Sequence, residues 1–105
     1  MTTGKFSIDL HPAVVLFDSG SSHTFVSQAY ARKYEFKINE MKYAYCISSA
    51  GADTLSNQVV LGSALEIEGR TFLVNMIVMQ GLGVDVILGM EWMSKWVLCL
   101  IHQGY

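Results

Sequence analysis

The sequence predicts an all-β domain, a small closed barrel or sandwich with one or two short helices. Three observations lead there. Apolar residues recur with a period of two along most of the chain, turn-rich breaks separate those runs, and helical spacing appears only twice. The 105 residues fit a single domain spanning 1–105, and a composition of 51% hydrophobic against 15% charged residues supplies a packable core. Such a composition excludes intrinsic disorder for most of the chain.

Phe6, Ile8 and Leu10 alternate with Ser7 and Asp9, predicting a first strand that ends in a His11-Pro12 turn. Ala13-Val14-Val15-Leu16-Phe17 is apolar on both faces, as an interior strand is. Phe25, Val26, Ala29 and Tyr30 form a helical stripe, with Ser21 and Ser22 as candidate N-caps. Met41, Tyr43, Tyr45 and Ile47 alternate as a strand, Ser48 to Asp53 is turn-rich, and Thr54 to Leu61 resumes the extended pattern. Leu65 and Ile67 lead through Glu68-Gly69, a short hairpin connection, into a long strand from Phe72 to Met79. Gly81-Leu82-Gly83 breaks it, and Val84 to Leu88 is another short apolar strand. Gly89 to Trp96 allows one or two helical turns.

Charge and composition narrow the function. Seven basic against nine acidic residues give a net charge of −2, which leaves no electrostatic footprint for nucleic acid. Tyr30, Tyr34, Phe36, Tyr43 and Tyr45 could mimic a base-stacking platform, but without a basic groove they read as core and pocket wall. The longest apolar run, Trp96 to Ile101, falls far short of the ~20 residues that span a bilayer. The N-terminal Met1-Thr2-Thr3-Gly4-Lys5-Phe6 lacks a signal peptide's apolar core. No nucleic-acid or membrane partner is therefore expected, and the expected location is intracellular, in the cytoplasm. Cys46 and Cys99 make no disulfide framework, and His11, His23 and His102 sit at no ligand spacing from them. They read as two buried thiols in a reducing compartment, with neither a metal nor another cofactor expected.

Asp18 stands where an apolar strand gives way to Ser19-Gly20-Ser21-Ser22. Carboxylates seldom end apolar strands without a task, although a helix-capping Asp fits this local pattern as well. Val84-Asp85-Val86-Ile87-Leu88-Gly89 is the second feature, since its glycine lets another backbone come close. Alone, it is also a plain strand-to-helix turn. A serine nucleophile fits poorly. Ser19-Gly20-Ser21-Ser22-His23 lacks the Gly-x-Ser-x-Gly elbow, and the adjacent Ser22 and His23 point in different directions.

Taken together, Asp18-Ser19-Gly20 after an apolar strand, with Ile87-Leu88-Gly89 following later in the chain, resembles the two signatures of retroviral-type (retropepsin-like) aspartic proteases. More narrowly, Val15 to Ser27 and Asp85 to Met93 look like those of Ty3/gypsy-type retrotransposon proteases, especially plant ones. The resemblance covers roughly Gly4 to Trp96. It implies a closed barrel with a flap hairpin, the catalytic loop being Asp18, Ser19 and Gly20. Ser19 would hydrogen-bond across a dimer axis and Gly20 would let two such loops approach. Ser48 to Asp53, with Ser49, Ala50, Gly51 and Thr54, stands where the family has its flap, a hairpin that closes over substrate and excludes water. Ile87, Leu88 and Gly89 would pack beneath the catalytic loop.

The chain supplies one Asp-Ser-Gly. Asp53-Thr54-Leu55 lacks the glycine, and Asp85 belongs to the strand of the second signature. The resemblance therefore implies a metal-free symmetric homodimer that hydrolyses a polypeptide, a retrotransposon polyprotein, through water activated by two Asp18 carboxylates. Two departures stand out. Ser21 replaces a common alanine, which is expected to be tolerated. After Trp96 the chain stops within nine residues, where the family continues into a further strand. By that resemblance residues 2–8 would supply the first part of the dimer sheet, and only Val97 to Ile101 remain for the second. A weak dimer is therefore expected, and the proton shared by two Asp18 carboxylates would favour it in acid. The alternative is a catalytically inactive module for dimerisation or peptide binding from a truncated element, against which the intact Asp18-Ser19-Gly20 argues.

Overall fold

Six strands close into a ring in the computed structural model, which describes residues 2–18, 21, 23–49 and 52–89. Strands β1 (Thr2–Ile8) and β2 (His11–Phe17) form an antiparallel hairpin, with Thr2 opposite Phe17 and Ile8 opposite His11. Then come β3 (Phe25–Ser27), the helix α1 (Gln28–Lys33), β4 (Asn39–Ser49), β5 (Ala52–Ile67), β6 (Arg70–Met79) and β7 (Val86–Leu88). Neighbours around the ring are β1, β2, β7, β3, β6 and β5, and the pairing of Ile8 with Leu65 returns β5 to β1. Strand β4 lies outside the ring and pairs with β5. Closure engages only the end of β1, at the Ser7–Glu66 and Ile8–Leu65 pairs.

The closed barrel is the architecture that the strand-rich pattern predicts, with one short helix among the described residues. The second helical stretch lies outside them beyond Gly89. Several boundaries move, each for a local reason. The first turn is Asp9-Leu10, not His11-Pro12: both residues have positive φ, 49° and 69°, as a two-residue hairpin of primed type requires. Asp9 tolerates that geometry because its ends are held. Its N–H donates to the Ala64 carbonyl at 2.8 Å, and its Oδ1 accepts from the Ala64 N–H at 2.7 Å.

The helix begins at Gln28 rather than near Phe25, because Phe25 and Val26 are taken into the sheet between β6 and β7. Ser27 is the N-cap, its Oγ accepting from the Tyr30 N–H at 3.4 Å. Ser21 does not cap it, and Ser22 lies outside the described residues. Strand β5 absorbs both extended segments expected between Thr54 and Ile67. Gly62 (φ 66°) takes up one extra residue between the pairs Val60–Met76 and Ser63–Val74, and its N–H donates to Asn75 Oδ1 at 2.8 Å. The expected turn from Ser48 to Asp53 is shorter, since the ladder continues to the Ser49–Ala52 pair.

Ile8, Val15, Val26, Leu65, Met76, Val86 and Leu88 fill the barrel and are essentially inaccessible. Each such side chain stabilises the fold by roughly 1.5–3 kcal/mol. Tyr30 joins this core, with Tyr34 and Phe36 packed against it, and the His11 ring stacks on Tyr34 at 4.2 Å. Tyr43 departs from the expectation of core or pocket wall: it is 76% exposed. Strand β4 carries three more residues than β5 between the Glu40–Gln58 and Tyr45–Ser56 pairs, and the excess swings Met41 and Tyr43 outward. The side chains of Tyr45 and Cys46, and all of Cys99, lie outside the described part.

Candidate active site

Strands β2 and β7 run parallel with Phe17 opposite Leu88, and the half-buried Asp18 follows directly. The Asp18 N–H donates to the Leu88 carbonyl at 2.9 Å, so the ladder extends one step past β2. The Ser21 N–H folds back to the Asp18 carbonyl at 3.1 Å, and Ser21 Oγ donates to the His23 carbonyl at 2.7 Å. The Ser21 hydroxyl thus has a partner of its own. Ser19 and Gly20 lie outside the described residues.

The second signature splits by strand alternation. Val86 and Leu88 point into the barrel, whereas Ile87 packs on a separate apolar cluster of Phe25, Val59 and Ile77. Gly89 is buried against the loop that follows Asp18. A Cβ there would overlap the His23 carbonyl, and the Gly89 N–H donates to Thr24 Oγ1 at 3.3 Å. Thr24 is itself buried, and its carbonyl accepts from the Ile77 N–H at 2.9 Å. The fold therefore brings Asp18 and Ile87-Leu88-Gly89 together from opposite ends of the chain. Thr24, which accepts from the N–H groups of Gly89 and Ile77, lies within the Val15–Ser27 stretch but was not singled out there.

Asp85 plays a part other than the strand residue expected. It precedes β7, and its Oδ2 accepts from the Val14 N–H at 2.8 Å. Its charge also reaches Tyr30, whose hydroxyl donates to the His11 carbonyl at 3.1 Å. Burial first, and then the charges of Asp85, Tyr34 and Asp9, push the Tyr30 phenol above its ordinary range.

Two clefts flank these elements. One of about 170 Å³ lies against His23 and Thr24, walled by Met41, Val59 and Ile77. Another of about 300 Å³ sits where the β4–β5 hairpin leaves the barrel, between Gln28, Ser56, Gln58 and Val78. Within that hairpin Ile47 pairs with Thr54 and Ser49 with Ala52, which puts Ser49 and Thr54 on its two strands. Ala50 and Gly51 lie outside the described residues. Among the described residues no group of three or more His, Cys, Asp or Glu side chains could hold a metal ion, and no helix is long and apolar enough to cross a membrane.

A family model described as "Retroviral aspartyl protease" matches residues 1–102. The chain belongs to the retroviral aspartyl protease family. Solved structures agree on the fold of this family member. EIAV protease, complexed with the inhibitor HBY-793, superposes with a TM-score of 0.71 at 17% identity, covering 91% of this chain and 88% of that one. The retroviral protease-like domain of Ddi1 from Leishmania major gives a TM-score of 0.68 at 11% identity, covering 90% and 76%. No curated protein matches the chain. Family membership and the barrel thus stand on independent comparisons.

Proposed function

We propose that residues 1–105 form one half of a homodimeric aspartic endopeptidase whose catalytic carboxylate is Asp18. The observation that carries this reading is the bond from the Asp18 N–H to the Leu88 carbonyl, which joins the Asp-Ser-Gly segment to the Ile-Leu-Gly segment. One chain offers one such aspartate, so a second copy must supply the other on a two-fold axis. Two carboxylates about 3 Å apart cannot both ionise and share one proton. The ionised partner takes a proton from the water between them, and that water attacks the peptide carbonyl. The protonated partner hydrogen-bonds to the carbonyl oxygen and stabilises the charge that develops there.

In this scheme Ser19 and Gly20 hold and close the two loops, and Ser49, Ala50, Gly51 and Thr54 belong to the flap. The apolar cluster around Ile87 and the cleft beside His23 receive substrate side chains. The substrate is an extended polypeptide. The likeness of Val15–Ser27 and Asp85–Met93 to Ty3/gypsy-type proteases supports a retrotransposon polyprotein as its natural source.

Digestion of an unfolded protein at about pH 5, with and without a transition-state inhibitor of aspartic proteases, tests the proposal. Cleavage should be blocked by the inhibitor and reduced by about 10⁴-fold in Asp18→Asn, with folding retained. An Asp18→Asn protein that cuts at a comparable rate would overturn the assignment. A folded dimer that cuts nothing would identify the inactive module instead.

A further inference from the structure

The parallel pairing of β2 with β7 is short, covering Val15–Val86, Leu16–Ile87 and Phe17–Leu88. Its register decides where Asp18 sits. Hydrophobic pattern specifies that register weakly, because residues 13–17 are apolar on both faces. A slip by two residues would keep the same faces in the core and yet carry Asp18 about 7 Å along the strand. Something other than burial must hold β2 against β7.

We infer that Asp85 is a positioning residue for Asp18, acting by locking the register of β2 on β7. Its Oδ2 accepts from the Val14 N–H at 2.8 Å, and its own N–H donates to the Val14 carbonyl at 3.0 Å. One residue thus grips both backbone groups that Val14 turns toward β7. The Asp85 carbonyl accepts from the Ser27 N–H at 2.8 Å, which ties the same point to the end of β3. Val14 and Asp18 are four residues apart on one strand, roughly 13 Å. The clamp at Val14 and the Asp18–Leu88 bond are the two ends of the same pairing, so fixing the first sets the second. A carboxylate suits this place because it accepts strongly from a backbone N–H at a site where an uncapped donor would be costly.

The inference rests on the protease reading for its kinetic half only. Three variants separate its parts. Asp85→Asn keeps an acceptor at the same reach, Asp85→Ala removes it, and Asp85→Glu moves the carboxylate one methylene further out. Amide hydrogen exchange of Val14 and Asp18 is measured by NMR on each full chain, together with kcat and KM on a peptide. Asp85→Asn should stay within about threefold of wild type in exchange and kcat, whereas Asp85→Ala should exchange both amides at least about tenfold faster. In Asp85→Ala and Asp85→Glu, kcat should fall about tenfold or more while KM stays within about twofold. Should Asp85→Ala not fold, Asp85→Glu carries the test. Faster exchange at Val14 with Asp18 unchanged, or an unaltered kcat, would reduce Asp85 to a local cap and overturn the inference. A wild-type chain that cuts no peptide would sink the protease reading, and the exchange of the Asp18 amide would still decide the positioning.

Discussion

The backbone of His23 occupies the space that a side chain on Gly89 would need. Gly89→Ala must therefore push apart the two segments that meet at Asp18, and rigid backbone gives little. Overpacking of this kind costs about 1–3 kcal/mol. It also strains the bond from the Gly89 N–H to Thr24 Oγ1. Urea unfolding should show that loss, while Gly83→Ala, where a Cβ meets nothing within 4 Å, should stay within about 0.5 kcal/mol of wild type. Equal behaviour of the two variants would refute the close packing.

Ser56 fastens the hairpin to the barrel. The β5–β6 ladder begins at the Val59–Ile77 pair, and beyond it Ser56 Oγ donates to the Val78 carbonyl at 2.7 Å. Ser56→Ala should cost about 1 kcal/mol and lower Tm by roughly 4–8 °C. If the hairpin is the flap, binding of a transition-state inhibitor should weaken as well. Calorimetry and inhibitor titration together check this, and unchanged inhibitor binding would separate the hairpin from the site.

Tyr30 makes the fold sensitive to alkali. Its buried phenol is held above the ordinary value of about 10, so the protonated form favours the folded state. That contribution is complete below the unfolded value and is lost as pH climbs toward the folded one. Urea midpoints should hold up to about pH 9 and fall as pH rises past about 10, and Tyr30→Phe should flatten part of that fall. A phenolate titration should also find one of the five tyrosines resisting ionisation until the chain unfolds.

How much of this was legible beforehand differs by element. Asp18-Ser19-Gly20 and Ile87-Leu88-Gly89 could be found because their chemistry is dense in sequence, and the fold sets Asp18 beside Leu88. The barrel was legible from alternation, which burial on one face enforces. Boundaries were less so. Phe25 and Val26 fit a helical stripe as well as a strand, and the parallel neighbour at Ile77–Val78 decides for the strand. The Asp9-Leu10 turn was hidden because Leu10 continues an apolar alternation, while the force that bends the chain there is a pair of bonds to Ala64, remote in sequence. The bonds of Asp85 were hidden for the same reason: its partner Val14 lies 71 positions away.

Association should respond to acid. A dimer that brings two Asp18 carboxylates together holds one proton between them, and dissociation into separate chains at neutral pH releases it. Mass action then favours the dimer at low pH. Sedimentation at micromolar concentration should show more dimer near pH 5 than near pH 8, and Asp18→Asn should remove most of the difference. A dimer indifferent to pH would place the two carboxylates apart.

Among the described residues strand β4 has one neighbour in the sheet, β5, whereas every strand of the ring has a partner on each side along at least part of its length. The consequence is thermodynamic. The outer half of the hairpin, where Ile47 faces Thr54 and Ser49 faces Ala52, can come undone without breaking any bond of the ring. Barrel and arm are therefore two cooperative units of unequal strength, and the arm opens at a free energy well below that of global unfolding. Evolution can retune the outer ladder, one cross-strand pair at a time, without drawing on the stability of the barrel that carries Asp18.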